Sequence, residues 1–134
     1  MKDQFYLYFE TMPKGTAQQK GVMVRNGKPI FYRKDNVQSA RNHFMRALRP
    51  YKPIKPSEKP VKLHLWFAFD VKDKKKWGKY KPTMPDADNI AKEFIDSFVR
   101  VGFIEDDAQI CRLSVDKTYA EKASILVVWE EINQ

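Results

Sequence analysis

The most regular pattern in this sequence is the alternation of apolar and polar residues, which is typical of half-buried β-strands. It is clearest over 61–69, where every second residue is a large apolar one. Two shorter apolar runs within 21–32 flank Asn26-Gly27, a pair that favours the type I′ turn of a hairpin. The pattern predicts further strands over 4–10, 109–118 and 124–132.

Two other segments follow the 3.6-residue period of an amphipathic helix. The first begins at Asp35, a favourable N-cap residue, and ends before Pro50. Arg41, Arg46 and Arg49 lie off its apolar stripe, so we expect this helix to have a basic outer face. The stripe itself consists of Val37, Ala40, Phe44 and Leu48.

The second helical segment is 89–101, and Gly102 follows it at the position of a C-terminal cap. We expect this helix to connect the strands that contain Leu65 and Leu113. Elements in this order predict an α+β fold, in which two helices pack against a mixed, largely antiparallel sheet. A chain of 134 residues fits one domain, covering residues 1–134.

The net charge of +8 is unevenly distributed along the chain. Residues 33–82 contain fifteen basic and four acidic residues, whereas residues 83–134 contain five basic and eleven acidic ones. Basic residues attract the phosphates of nucleic acids, and acidic residues can hold a metal ion that offsets their own repulsion of phosphate. The distribution favours a nucleic-acid-binding protein, although a basic surface that serves only solubility gives the same counts.

Other features of the sequence exclude several classes of protein. Cys111 is the only cysteine, so no intrachain disulfide can form, and this fits a reducing cytoplasm. No apolar run approaches the roughly 20 residues that a membrane-spanning helix needs. Met1 leads into a strand-like segment instead of the apolar region of a signal peptide. We therefore expect a cytoplasmic protein without a membrane partner.

Residues 72–81 combine lysines and aromatic residues in a polar segment that contains Gly78, which predicts a loop. Trp77 and Tyr80 can stack on bases or sugars while the lysines hold phosphates. The alternative is a solvated charge run, and for the two aromatic residues neither interpretation is favoured. The predicted DNA-binding residues are Lys72, Lys74, Lys75, Lys76, Lys79 and Lys81.

Acidic residues flank the second helix on both sides. Asp86 and Asp88 would point the same way in an extended segment, because side chains alternate there with period two. Asp88, Lys92 and Asp96 are spaced four residues apart and would share one face of the helix. A second acidic run, 105–107, follows. Because Mg²⁺ prefers carboxylate oxygens and leaves positions for phosphate oxygens, the set predicts a site for phosphodiester chemistry.

Each acidic residue taken alone has a simpler interpretation. Asp88 can be the N-cap of the helix, Asp96 a solvated helix residue, and 105–107 an acidic turn before a strand. A catalytic role is supported by the combination of an Asp-x-Asp pair, a lysine one turn later, a second acidic cluster and a neighbouring basic loop. The pattern alone leaves both interpretations open.

These motifs resemble those of the RusA family of Holliday-junction resolvases, many of which are encoded by phages and prophages. The stretch 86–92 is similar to the family's D-x-D-N-x-x-K motif, and Asp96 to its helix aspartate. The stretch 102–110 is similar to its G-x-x-x-D-D-x-Q-V motif. The separation of the motifs also matches, and the similarity extends over 82–117.

The resemblance implies a Mg²⁺-dependent endonuclease, with Mn²⁺ as a substitute, that resolves branched DNA by paired symmetric nicks in recombination and repair. It also implies a homodimer with one active site for each nick. The residues that it assigns are the metal-binding Asp86, Asp88 and Asp107, the catalytic Lys92, and Asp96 and Asp106 in supporting roles.

Two other functions remain open. A non-catalytic basic module would bind DNA in a salt-sensitive manner without cleaving it in Mg²⁺. A metal-dependent nuclease acting on other nucleic acids would share the metal chemistry but not the junction substrate.

Overall fold

The computed structural model describes residues 2–13, 20–25, 28–33 and 35–134. The strands within these ranges are β1 (Lys2–Phe9), β2 (Lys20–Arg25), β3 (Lys28–Arg33), β4 (Val61–Asp70), β5 (Ile110–Ala120) and β6 (Ala123–Glu131), and the helices are α1 (Asp35–Leu48) and α2 (Ala87–Val101). Single-turn 3₁₀ helices occur at Arg49–Tyr51, Lys74–Lys76 and Asp107–Gln109.

Four strands form one sheet in the order β1-β6-β4-β5, and β2 pairs with β3 in a separate antiparallel ribbon. β4 and β5 run parallel because α2 connects them as a crossover, whereas β6 runs antiparallel to both of its neighbours. The predicted α+β fold with a mixed, largely antiparallel sheet is confirmed. The predicted hairpin is confirmed for β2 and β3, but Asn26 and Gly27 lie outside the described residues.

The central strand β4 shows how the helices are held against the sheet. Its alternate residues are buried on one face, and Phe67 on that face contacts Phe94 of α2, with ring centroids 6.3 Å apart. Phe94 in turn contacts Phe44 of α1 at 5.7 Å. The apolar stripes of both helices therefore pack into one core with this face of the sheet.

Arg41 departs from the predicted pattern of α1. Arg46 and Arg49 are exposed as predicted, but the Arg41 side chain is buried and forms ion pairs with Glu93 and Asp96 of α2. The prediction of an outer position was wrong for Arg41, because two acidic residues from a distant part of the sequence compensate its charge in the helix interface.

Helix α2 begins two residues before the predicted start and ends at Val101 as predicted. Gly102 follows with φ of 108°, a left-handed conformation that glycine adopts without steric cost. Its N–H donates a hydrogen bond to the Val99 carbonyl (3.0 Å), which closes the last turn. Neither α2 nor any other helix in the described part of the chain is long and apolar enough to cross a membrane.

Candidate active site

The first turn of α2 carries two of the predicted metal ligands. Asp86 is the N-cap residue, with an extended backbone (φ −62°, ψ 142°), and its carbonyl accepts a hydrogen bond from Ile90 N (3.1 Å). Its carboxylate makes no capping bond and accepts a hydrogen bond from Asn89 Nδ2 (3.3 Å). Asp88 already lies within the helix. The prediction of one extended segment from Asp86 to Asp88 was therefore wrong, and so was the interpretation of Asp88 as the N-cap.

One face of α2 and the start of β5 line an open groove of about 670 Å³. Asp88, Lys92 and Asp96 lie along it, which confirms that their four-residue spacing places them on one helix face. Asp107, from the turn before β5, also lines the groove. Three acidic residues and one lysine thus meet here, and the other lining residues are Ala87, Ala91, Ile95, Ala108, Ile110, Leu113 and Val115.

A capped turn holds Asp107 at the groove. The side chain of Asp106 accepts a hydrogen bond from Ala108 N (3.0 Å), and Gln109 Oε1 accepts one from Asp106 N (2.8 Å). Gln109 Nε2 donates to the carbonyl of Ser57 (2.8 Å), which ties the turn to the segment before β4. The interpretation as an acidic turn is therefore correct for Asp106, whose carboxylate serves as a cap.

The acidic residues around the groove change each other's ionisation. The pKa of Asp107 is raised, first by a hydrogen bond with the Asp106 side chain and further by desolvation and by the negative charges of Asp106 and Asp96. The pKa of Asp106 is lowered, chiefly because its carboxylate accepts the hydrogen bond from Ala108 N. Negative charge is thus concentrated beside Asp107, a situation that a divalent cation with oxygen ligands would relieve.

The three predicted metal ligands do not form a ready-made cluster. Among the described residues, no three His, Cys, Asp or Glu side chains converge closely enough to hold a metal ion. Asp88 and Asp107 line the same groove, whereas Asp86 does not line it. The type of donor fits Mg²⁺, because all three residues offer carboxylate oxygens. The assignment of this ligand set stays a prediction.

Lys92 is the basic residue in the groove, and its side chain is exposed. It forms no ion pair or hydrogen bond with another residue that the structure describes. An ammonium group that has no internal partner can bind an anionic ligand without first breaking an ion pair.

Lys117 of β5 holds the segment that leads into α2. Its Nζ donates to the carbonyls of Thr83 (2.8 Å) and Pro85 (2.6 Å), directly before Asp86. The pKa of Lys117 is lowered, first by burial and then by the positive charge of Lys81. Sequence reasoning missed this anchor, because a lysine and two carbonyls more than thirty residues apart leave no local pattern.

The loop 72–81 is folded against β5. Gly78 N donates to the Tyr119 carbonyl (2.8 Å), and the ammonium groups of Lys76 and Lys81 each lie 5.4 Å from the centre of the Tyr119 ring. The predicted loop is consistent with the observed backbone, which also contains a single 3₁₀ turn at Lys74–Lys76. The lysine side chains of this loop other than Lys81 are exposed, and their role in DNA binding stays a prediction.

The two aromatic residues of this loop differ in their contacts. Trp77 Nε1 donates to the carbonyl of Val71 (2.9 Å), so this indole helps to close the loop. Tyr80 is 66% exposed. Of the two, Tyr80 therefore offers the larger free surface for stacking.

Comparison with known proteins agrees with the motifs. The family described as "Endodeoxyribonuclease RusA" matches residues 10–129. A crossover junction endodeoxyribonuclease rusA from Lactococcus phage r1t is 34% identical over 135 residues, which cover 98% of this chain and 100% of the phage protein. Both matches include α2 and the turn that carries Asp107. The chain therefore belongs to the RusA endodeoxyribonuclease family.

Proposed function

We propose that this chain is a metal-dependent endodeoxyribonuclease that resolves Holliday junctions and other branched DNA by paired symmetric nicks, in recombination and repair. The observation that carries the proposal is the groove in which Asp88, Lys92, Asp96 and Asp107 meet, in a chain of the RusA family. Acidic residues that can hold a divalent cation and a free lysine that can bind phosphate are the groups that phosphodiester hydrolysis uses.

Mg²⁺ is the proposed metal, with Mn²⁺ as a substitute, and Asp86, Asp88 and Asp107 would hold it. When bound, it supplies positive charge that polarises the scissile phosphate and lowers the pKa of a water nucleophile. The chain's own contribution is to fix the two backbone segments that carry these carboxylates. Lys117 holds the segment before α2, and Gln109 holds the turn before β5.

Lys92 is proposed to act on the phosphate directly. Its ammonium donates hydrogen bonds to phosphate oxygens and stabilises the negative charge that grows on them in the transition state. Because Lys92 has no ion-pair partner among the described residues, this interaction does not compete with an internal one. Asp96 and Asp106 support the site from its margin, Asp106 by capping the turn that carries Asp107.

The loop 72–81 is proposed to hold DNA phosphates, and a triple replacement tests this. The triple variant should bind the junction more weakly than the parent, and this loss of affinity should become smaller as the salt concentration rises. Its replacements are Lys74→Ala, Lys75→Ala and Lys76→Ala. Each lost phosphate contact should reduce the slope of log affinity against log salt concentration by about 0.9 for duplex DNA. Fluorescence anisotropy at several salt concentrations measures both quantities, and nicking at saturating protein should stay near the parent rate.

A matched control removes the same charge elsewhere. Lys52, Lys55 and Lys59 are exposed in the connector between α1 and β4, and their replacement with Ala also lowers the net charge by three. We expect the control to change the salt slope much less than the loop variant. Equal salt slopes in the two variants would indicate that the loop lysines are solvated surface charges and do not contact DNA phosphates.

A two-fold symmetric homodimer is the proposed assembly. Two coordinated nicks in opposing strands need two active sites, and a C2 dimer supplies them in equivalent positions. Sedimentation equilibrium at working concentration should give twice the mass of one chain. A monomer that still introduces both nicks would refute the dimer.

Substrate choice tests the proposed function as a whole. Labelled four-way junction, linear duplex and RNA hairpin are incubated with the protein, with and without Mg²⁺. We expect metal-dependent cleavage of the junction and little or none of the other two. Cleavage of duplex or RNA at a similar rate would indicate a nuclease with another substrate.

A further inference from the structure

The ion-pair cluster between α1 and α2 extends to the groove. Arg41 of α1 places its guanidinium between Glu93 and Asp96 of α2. Nε lies 2.6 Å and Nη2 3.3 Å from the two carboxylate oxygens of Glu93, and Nη2 lies 3.2 Å from Oδ2 of Asp96. Arg41 and Glu93 are buried, whereas Asp96 lines the groove. One guanidinium thus connects the helix interface with the candidate active site.

Glu93 fixes the orientation of this guanidinium. The Glu93 side chain is completely buried, and a buried carboxylate needs a cation and hydrogen bonds to compensate for its lost hydration. Arg41 provides both through two nitrogens, and a planar guanidinium bound at two points has little rotational freedom. The nitrogen that contacts Asp96 is therefore held in a defined place.

Asp96 has a second potential partner in Lys92. The two residues are four positions apart on α2, a spacing at which opposite charges attract each other across one helical turn. In the structure Asp96 is bonded to Arg41, while Lys92 forms no ion pair with any described residue. Arg41 thus takes up the carboxylate that would otherwise be free to pair with the lysine of the groove.

We propose that Arg41 is a positioning residue that holds Asp96 away from Lys92 and so keeps the Lys92 ammonium free for a DNA phosphate. This role rests on the proposed nuclease function, in which Lys92 acts on the phosphate. Arg41 acts through Asp96, and Glu93 in turn keeps Arg41 in place.

The test must avoid leaving Glu93 buried without a cation, because an uncompensated buried charge severely destabilises a protein. The variant is therefore Arg41→Met together with Glu93→Met, since apolar residues of similar volume can replace a buried ion pair with little loss of stability. Thermal unfolding checks that the variant is folded. If it is not, Arg41→Gln with Glu93→Gln takes its place in the same measurements.

We expect the double variant to nick junctions with a kcat about twofold below that of the parent, because Asp96 then pairs with Lys92. Its Kd for the junction should be unchanged. The same two replacements made in an Asp96→Asn background should leave kcat equal to that of Asp96→Asn alone, since a neutral amide does not compete for Lys92. An equal loss in both backgrounds would overturn the proposal, because Arg41 would then act by packing alone.

A second measurement does not require cleavage. Trace acetylation of the folded protein, read by mass spectrometry, reports how available each lysine amine is. With Lys55 as the internal reference, Lys92 should react about twofold more slowly in the double variant than in the parent, and at the parent rate once Asp96→Asn is added. Unchanged Lys92 labelling would contradict the proposal even if the parent cleaves junctions. If Lys92 labelling changes as expected but the parent protein does not cleave DNA, the proposed nuclease function is contradicted and the role of Arg41 in positioning Asp96 is not.

Discussion

The single replacements Asp86→Asn, Asp88→Asn and Asp107→Asn should each lower junction cleavage by at least about 10²-fold while junction binding stays unchanged or becomes tighter. An amide offers a hard cation one neutral oxygen in place of a charged carboxylate, so the metal is held less well. The same change removes a negative charge near the path of the phosphate and thereby reduces repulsion. Cleavage rates at saturating protein and binding without metal separate the two effects.

The control for these variants is Asp3→Asn. It makes the same chemical change on β1, which lies at the opposite edge of the sheet from β5. We expect it to cleave at the parent rate. Full nicking activity in all three aspartate variants would refute the assignment of the metal site.

Lys92→Ala should lower kcat by about 10²-fold and leave junction affinity unchanged, because its contribution is confined to the transition state. Single-turnover nicking at saturating protein measures kcat, and fluorescence anisotropy without metal measures the junction affinity. Lys92→Arg retains the positive charge and should recover part of the rate.

Arg100→Ala is the matched control for Lys92→Ala. It removes the positive charge of an exposed residue in the last turn of the same helix, outside the groove. Its kcat should equal that of the parent. A pure binding defect in Lys92→Ala, with normal kcat, would place the lysine among the groups that hold DNA and remove it from the catalytic set.

Local periodicity predicted much of the fold and part of the site. The alternation over 61–69 gave the central strand, and the spacing of Asp88, Lys92 and Asp96 placed all three on the groove. These features depend on residues a few positions apart, which is the range over which strand and helix periods act. The predicted ends of β1, β4, β5 and β6 agree with the structure to within two residues.

Features that depend on distant residues were not predictable. The burial of Arg41 requires Glu93 and Asp96, which lie more than fifty residues away, so the charge alone indicated a solvated position. The hydrogen bond from Lys117 to the Pro85 carbonyl was not predictable for the same reason, because its two residues lie far apart in the sequence. The start of α2 was misplaced for a local reason, since Asp86 and Asp88 are residues of the same type two positions apart, and the helix begins directly after the first of them.

The central claim is tested most directly by mapping cleavage on a single four-way junction, with each of the four strands labelled in turn, with and without Mg²⁺. We predict nicks only in the presence of the metal, at symmetric positions in two opposing strands, with 5′ phosphate and 3′ hydroxyl ends that a ligase reseals. Tight, salt-sensitive junction binding without any nick in Mg²⁺ or Mn²⁺, by protein that is shown to be folded, would contradict the account and leave a non-catalytic DNA-binding module.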